Sequence, residues 1–137
     1  MRRRIPYVML AVIAAFMLQP VASAESRTCQ GEEATITGTS GDDDLNGTFR
    51  HDVIVGLGGD DVIQALDGSD TICGGGGADT VSAGWGRDSV DGNSGDDTLI
   101  GGPGNDKLDG GSGSDTLNGY WGVDTCTRGE DETSCEE

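Results

Sequence analysis

Apolar residues recur at every ninth place through most of this chain: Leu45, Ile54, Ile63, Ile72, Val81, Val90, Leu99, Leu108, Leu117 and Cys126. Each stands two residues after an aspartate, and those aspartates (Asp43, Asp52, Asp61, Asp70, Asp79, Asp88, Asp97, Asp106, Asp115 and Asp124) follow one another without a gap. Two places before each aspartate stands glycine, as at Gly41, Gly59, Gly77, Gly95, Gly104 and Gly113, with Arg50 the one departure. A fixed period of this kind marks a repeat architecture. Glycine tolerates positive φ, so the six residues ending in Asp read as a turn. The three that follow read as a short strand whose middle side chain points inward. With one committed apolar side chain per unit, hydrophobic burial alone does not fold the array. Something else must hold the turns together and relieve the repulsion among stacked carboxylates.

Residues 101–109 read GGPGNDKLD and residues 110–118 read GGSGSDTLN. This resembles the haemolysin-type, or repeats-in-toxin (RTX), calcium-binding nonapeptide GGxGxDxUx, and the resemblance covers residues 38–127. It implies an all-β fold, a right-handed parallel β-roll in which two units make one turn of 18 residues. Residues 18 apart then lie on one sheet, and residues nine apart face each other across the core. It also implies Ca²⁺ ions between turns stacked on the same edge, bridged by Asp residues 18 positions apart.

The residues support that cation on their own terms. Ca²⁺ is a hard ion that takes six to eight oxygens from carboxylates, backbone carbonyls and water. Residues 38–127 hold seventeen Asp and no Glu, where a merely solvated acidic face would mix the two. The helix-loop-helix alternative needs a Glu at the end of its loop, and the array has none.

In the stacking that the resemblance implies, odd and even repeats form separate ladders. The odd one carries Asp43, Asp61, Asp79, Asp97 and Asp115, and the first and fourth places of all its turns are Gly. The even one carries Asp52, Asp70, Asp88, Asp106 and Asp124, and holds every departure at those places: Ala65, Ala83 and Arg50. Five turns per edge define four gaps per edge, hence up to about eight ions, with the odd edge the more dependable. Arg50 is expected to replace an ion in the first even gap.

The third turn place on the even edge reads Phe49, Asp67, Trp85, Pro103, Trp121. These aromatics either cover apolar surface in divergent turns or form a ladder for a glycan or cell-surface polymer, with Arg50 and Arg87 beside them.

Outside the array, Arg2, Arg3 and Arg4, the apolar run 7–18 and Ala22-Ser23-Ala24 read as a secretory signal peptide cleaved after Ala24. The apolar run falls short of the roughly 20 residues of a membrane span, so no membrane insertion is expected. The division is then 1–24 signal peptide, 25–37 N-terminal cap, 38–127 ten repeats and 128–137 C-terminal cap or tail. Cleavage removes three of eight basic residues and no acid, giving 5 − 25 = −20. A chain so acidic does not seek nucleic acid; its partners are cations.

Four Cys in an exported chain imply disulfides, with three connectivities open. Cys126 and Cys135 are nine apart, and face each other if the tail continues the coil. Cys29 then pairs with Cys73 only if residues 25–37 fold back. An enzyme is not expected: the one histidine, His51, reads as a solvated turn residue, and no nucleophile elbow, zinc-helix or phosphate-loop motif occurs. RTX proteins usually carry their repeats beside a protease, lipase or toxin domain. The signal peptide and the Cys residues depart from that pattern, so no such activity is carried over.

Overall fold

The computed structural model describes residues 27–135, and the signal-peptide segment lies outside them. Among the described residues the chain is strand and turn, with no helix. Two parallel six-stranded sheets form the roll. The first stacks Ile36–Thr37, Val53–Gly58, Thr71–Gly76, Ser89–Ser94, Lys107–Asp109 and Thr125–Thr127. The second stacks Asp44–Asn46, Val62–Gln64, Thr80–Ser82, Thr98–Pro103, Thr116–Trp121 and Asp131–Thr133. The 18-residue register is direct: Ile54 lies beside Ile72 and Ile72 beside Val90, while Ile63 lies beside Val81 and Leu99 beside Leu117. Odd turns lead from the first sheet to the second, and even turns lead back.

The inward side chains meet as the period requires. Ile54, Ile63, Ile72, Val81, Val90, Leu99, Leu108 and Leu117 form one buried file, and Leu45 and Cys126 close it half-buried at its ends. Two residues join it that the nine-residue pattern does not mark as core. Ala65 and Ala83, the first residues of two even turns, are fully buried in the same cluster. Ile36 extends the file below the first repeat by pairing beside Ile54.

A second apolar cluster lies on the outer face of the first sheet. Val53 and Val55 flank the inward Ile54 and so point the other way, since successive strand residues alternate faces. An antiparallel hairpin of Thr28–Cys29 and Glu32–Glu33 lies over that face. It buries Cys29, Val53, Val55 and Cys73 together, and the Cys29–Cys73 disulfide, Cα to Cα 5.7 Å, ties the hairpin down.

The C-terminal end is also disulfide-closed, through Cys126–Cys135 with Cα atoms 5.7 Å apart. The coil does not run on in register to reach it. Thr116 pairs with Asp131 and Leu117 with Glu132, a shift of 15 residues instead of 18. The turn before this last strand has three residues, 128–130, where the repeats have six. Cys135 therefore falls past the strand instead of lying inward opposite Cys126.

Candidate metal centres

Stacking at 18 residues brings the aspartates of each edge into a file. On the odd edge the backbone N–H of Asp43 donates to Asp61 Oδ1 at 2.8 Å, Asp61 to Asp79 at 2.9 Å, Asp79 to Asp97 at 2.8 Å and Asp97 to Asp115 at 2.9 Å. The even edge repeats this from Asp52 through Asp70, Asp88 and Asp106 to Asp124, at 2.8 to 2.9 Å. All of these aspartates except Asp43 are buried.

The second carboxylate oxygen divides the ten. In Asp61, Asp70, Asp79, Asp88, Asp97, Asp106, Asp115 and Asp124, Oδ2 is buried and no group donates to it. In Asp43 it accepts from the N–H of Thr39 at 2.6 Å and its hydroxyl at 3.0 Å. In Asp52 it accepts from the N–H of Thr48 at 2.7 Å and its hydroxyl at 2.8 Å. A buried carboxylate oxygen without a donor is strongly unfavourable, and eight recur in register.

The glycines show where those oxygens point. An ideal β-carbon on Gly101 would meet Asp106 Oδ2 at 2.6 Å and the Gly119 carbonyl, one turn further on, at 2.9 Å. Gly56, Gly74 and Gly92 are crowded by the same pair, the turn's own carboxylate and the next turn's first carbonyl. Carboxylate and carbonyl oxygens thus converge on the gap between stacked turns, which is the donor chemistry a hard cation requires. Among the described residues no three His, Cys, Asp or Glu side chains converge on one point, so a cation here would be held by carbonyls together with one or two carboxylates.

At the fourth turn place the reason for glycine is the turn beneath. A β-carbon on Gly77, Gly95 or Gly113 would strike the carbonyl of the equivalent glycine in the preceding turn, and all three have positive φ. Gly59 has positive φ as well and is crowded by the backbone of Gly41 and Asp42, while Gly104 is crowded by the Gly86 carbonyl. Gly41, in the first odd turn, has nothing within 4 Å. Arg50 occupies the same place in the first even turn. No repeat turn lies beneath it, as none lies beneath Gly41, and among the described residues it forms no ion pair. Thr48, two residues earlier, is what engages Asp52.

Burial pushes the carboxyls of Asp79, Asp88, Asp97 and Asp106 up to about 6, against the N–H donated to each and reinforced by neighbouring aspartates. Asp61 and Asp70 are raised for the same first reason. Such groups resist carrying charge unless a cation faces them.

Two features escape the repeat pattern. The second turn place adopts positive φ in eight turns, at Leu57, Leu66, Asn93 and Tyr120 as well as at Gly75, Gly84, Gly102 and Gly111. A second, exposed aspartate file also runs up the odd edge: the N–H groups of Asp60, Ala78 and Ser114 donate to Asp42, Asp60 and Asp96. Asp42, Asp60 and Asp96 at the fifth turn place signal the second feature, whereas Leu57, Leu66 and Tyr120 give no sequence signal of the first.

The remaining candidates lie elsewhere. His51 is not simply solvated; its ring contacts the Ser69 carbonyl and pairs with Glu32 of the hairpin at 3.2 Å, and the first of these contacts chiefly raises its pKa. Phe49, Trp85 and Trp121 are 77%, 65% and 67% exposed, and the Trp121 ring lies against that of Tyr120, centroids 5.2 Å apart.

The family model for the RTX calcium-binding nonapeptide repeat, which spans four copies, matches residues 37–72, 46–81, 55–90, 64–99 and 91–126. No curated protein and no solved structure matches the chain. The matched residues are those whose turns hold the unpartnered carboxylates, and this β-roll chain belongs to the RTX calcium-binding nonapeptide repeat family.

Proposed function

We propose that the chain is a secreted calcium-binding protein whose β-roll folds on binding extracellular Ca²⁺. The observation that carries this is the set of eight buried Asp Oδ2 atoms without a donor. Folding without a cation strands all eight in a low-dielectric edge; folding with Ca²⁺ supplies each with a partner, so binding free energy becomes folding free energy. Far-UV circular dichroism at neutral pH with and without a chelator tests it, the expected result being loss of sheet on chelation. Export is tested separately by the N-terminus of protein recovered from the medium, which is expected to begin at Glu25.

A second reading is favoured by the even edge. Its exposed aromatics stand at every second rung, and the array's three basic residues, Arg50, Arg87 and Lys107, lie in or just after even turns. A groove there is lined by His51, Ser69, Arg87, Asn105 and Lys107. Exposed aromatics beside cations suit the faces of sugar rings and the anionic groups of a surface polymer. Retention on a glycan matrix that is lost in a Trp85→Ala, Trp121→Ala variant is the expected result; equal retention would remove this reading.

A further inference from the structure

The end turns differ from the rest in a way that relocates the metal positions. Asp115 and Asp124, the last aspartate of each edge, are 1% and 0% exposed, and neither Oδ2 has a donor. No repeat follows to supply the opposing carbonyl, yet one is present on each edge. An ideal β-carbon on Gly119 would meet Asp124 Oδ2 at 2.5 Å and the carbonyl of Ser134 at 2.5 Å. One on Gly110 would meet Asp115 Oδ2 at 2.5 Å and the carbonyl of Arg128 closer still. This is the pairing that Asp106 and Gly119 make inside the array.

We infer that the tail following the repeats completes a calcium position on each edge, with Arg128 and Ser134 giving carbonyl oxygens opposite Asp115 and Asp124.

The tail is held for this role. The N–H groups of Glu130 and Asp131 donate to the Asp115 carbonyl at 2.9 and 3.2 Å, seating the shortened turn on the last odd one. The Arg128 guanidinium is engaged by Asp109. Arg128 and Ser134 have φ of 55° and 54°, a left-handed backbone that a non-glycine residue keeps only where its surroundings hold it. Cys135 follows Ser134 directly and is bonded to Cys126. At the other end of the roll Thr39 and Thr48 already occupy the free oxygens of Asp43 and Asp52. The first gap of each edge is therefore closed by threonine and the last by the tail, and the ion file is displaced by one rung toward the C-terminus.

This rests on the proposed calcium binding, and the test separates the two. Titration calorimetry with CaCl₂ on the chain with both disulfides formed gives the number of ions bound. The Asp115→Asn, Asp124→Asn variant is expected to bind two fewer than the parent, and Asp43→Asn, Asp52→Asn the same number as the parent. The Cys126→Ser, Cys135→Ser variant keeps every carboxylate and is expected to bind the same two ions at least tenfold more weakly. Unchanged uptake in both the Asp115/Asp124 and the cysteine variants, or loss of two ions in the Asp43/Asp52 variant, would overturn the inference. Absence of uptake by the parent would instead overturn the proposed function.

Discussion

The backbone N–H of Asp79 donates to Asp97 Oδ1 at 2.8 Å, while Asp97 Oδ2, on the same carboxylate, has no donor. One oxygen of each rung thus fixes the register of the stack, and the other faces the gap. An Asn at position 97 keeps the first function and removes the charge from the second. Asp97→Asn is expected to take up one calcium ion fewer than the parent, while the sheet still forms at saturating Ca²⁺. Calorimetry and circular dichroism on the variant check both halves.

Without calcium, acid is expected to stabilise the roll. The carboxyls of Asp79, Asp88, Asp97 and Asp106 stand at about 6 when folded, above the ordinary value near 3.8 of the unfolded chain. The folded state therefore binds more protons, and the contribution these groups make is full below about 3.8 and lost as pH rises through about 6. In chelator, far-UV circular dichroism is expected to show more sheet at pH 4.5 than at pH 7.5. Calcium reverses the trend, since its ligands must be deprotonated.

Position in the stack decides what a glycine tolerates. Gly95 has φ of 132°, and a β-carbon there strikes the Gly77 carbonyl; Gly41 has open space. Gly95→Ala is expected to destabilise the calcium-loaded roll by about 1 to 3 kcal/mol, and Gly41→Ala by less than about 0.5 kcal/mol. Denaturant midpoints at fixed calcium distinguish them.

The Cys29–Cys73 bond closes a segment of 44 residues and holds the hairpin over Val53 and Val55. A Cys29→Ser, Cys73→Ser variant is expected to lose about 2 to 4 kcal/mol, read as a lower melting temperature, and to expose the outer face of the first sheet to a hydrophobic dye.

The inward file and its register were legible because period nine imposes them on every unit alike: Ile54 beside Ile72 follows from counting. What was not legible lies where a unit lacks a neighbour. Threonine stands at the second turn place only in the first turn of each edge, but that its N–H and hydroxyl both reach the turn's own aspartate does not follow from the spacing. Arg50 was legible as a departure in the first even turn, but the Thr48 contact that engages Asp52 beside it was not. The three-residue turn at 128–130 breaks the count, so pairing Cys135 by a spacing of nine reached the right partner through the wrong path. The exposure of Trp85 and Trp121 depended on which way the even turns face, which periodicity leaves open.

The most direct measurement is a calcium titration of the chain at neutral pH, with both disulfides formed, followed by circular dichroism and calorimetry together. The account predicts little sheet without calcium and sheet formation that rises with ion uptake to a common end point. A fully formed sheet at zero calcium and neutral pH would contradict it.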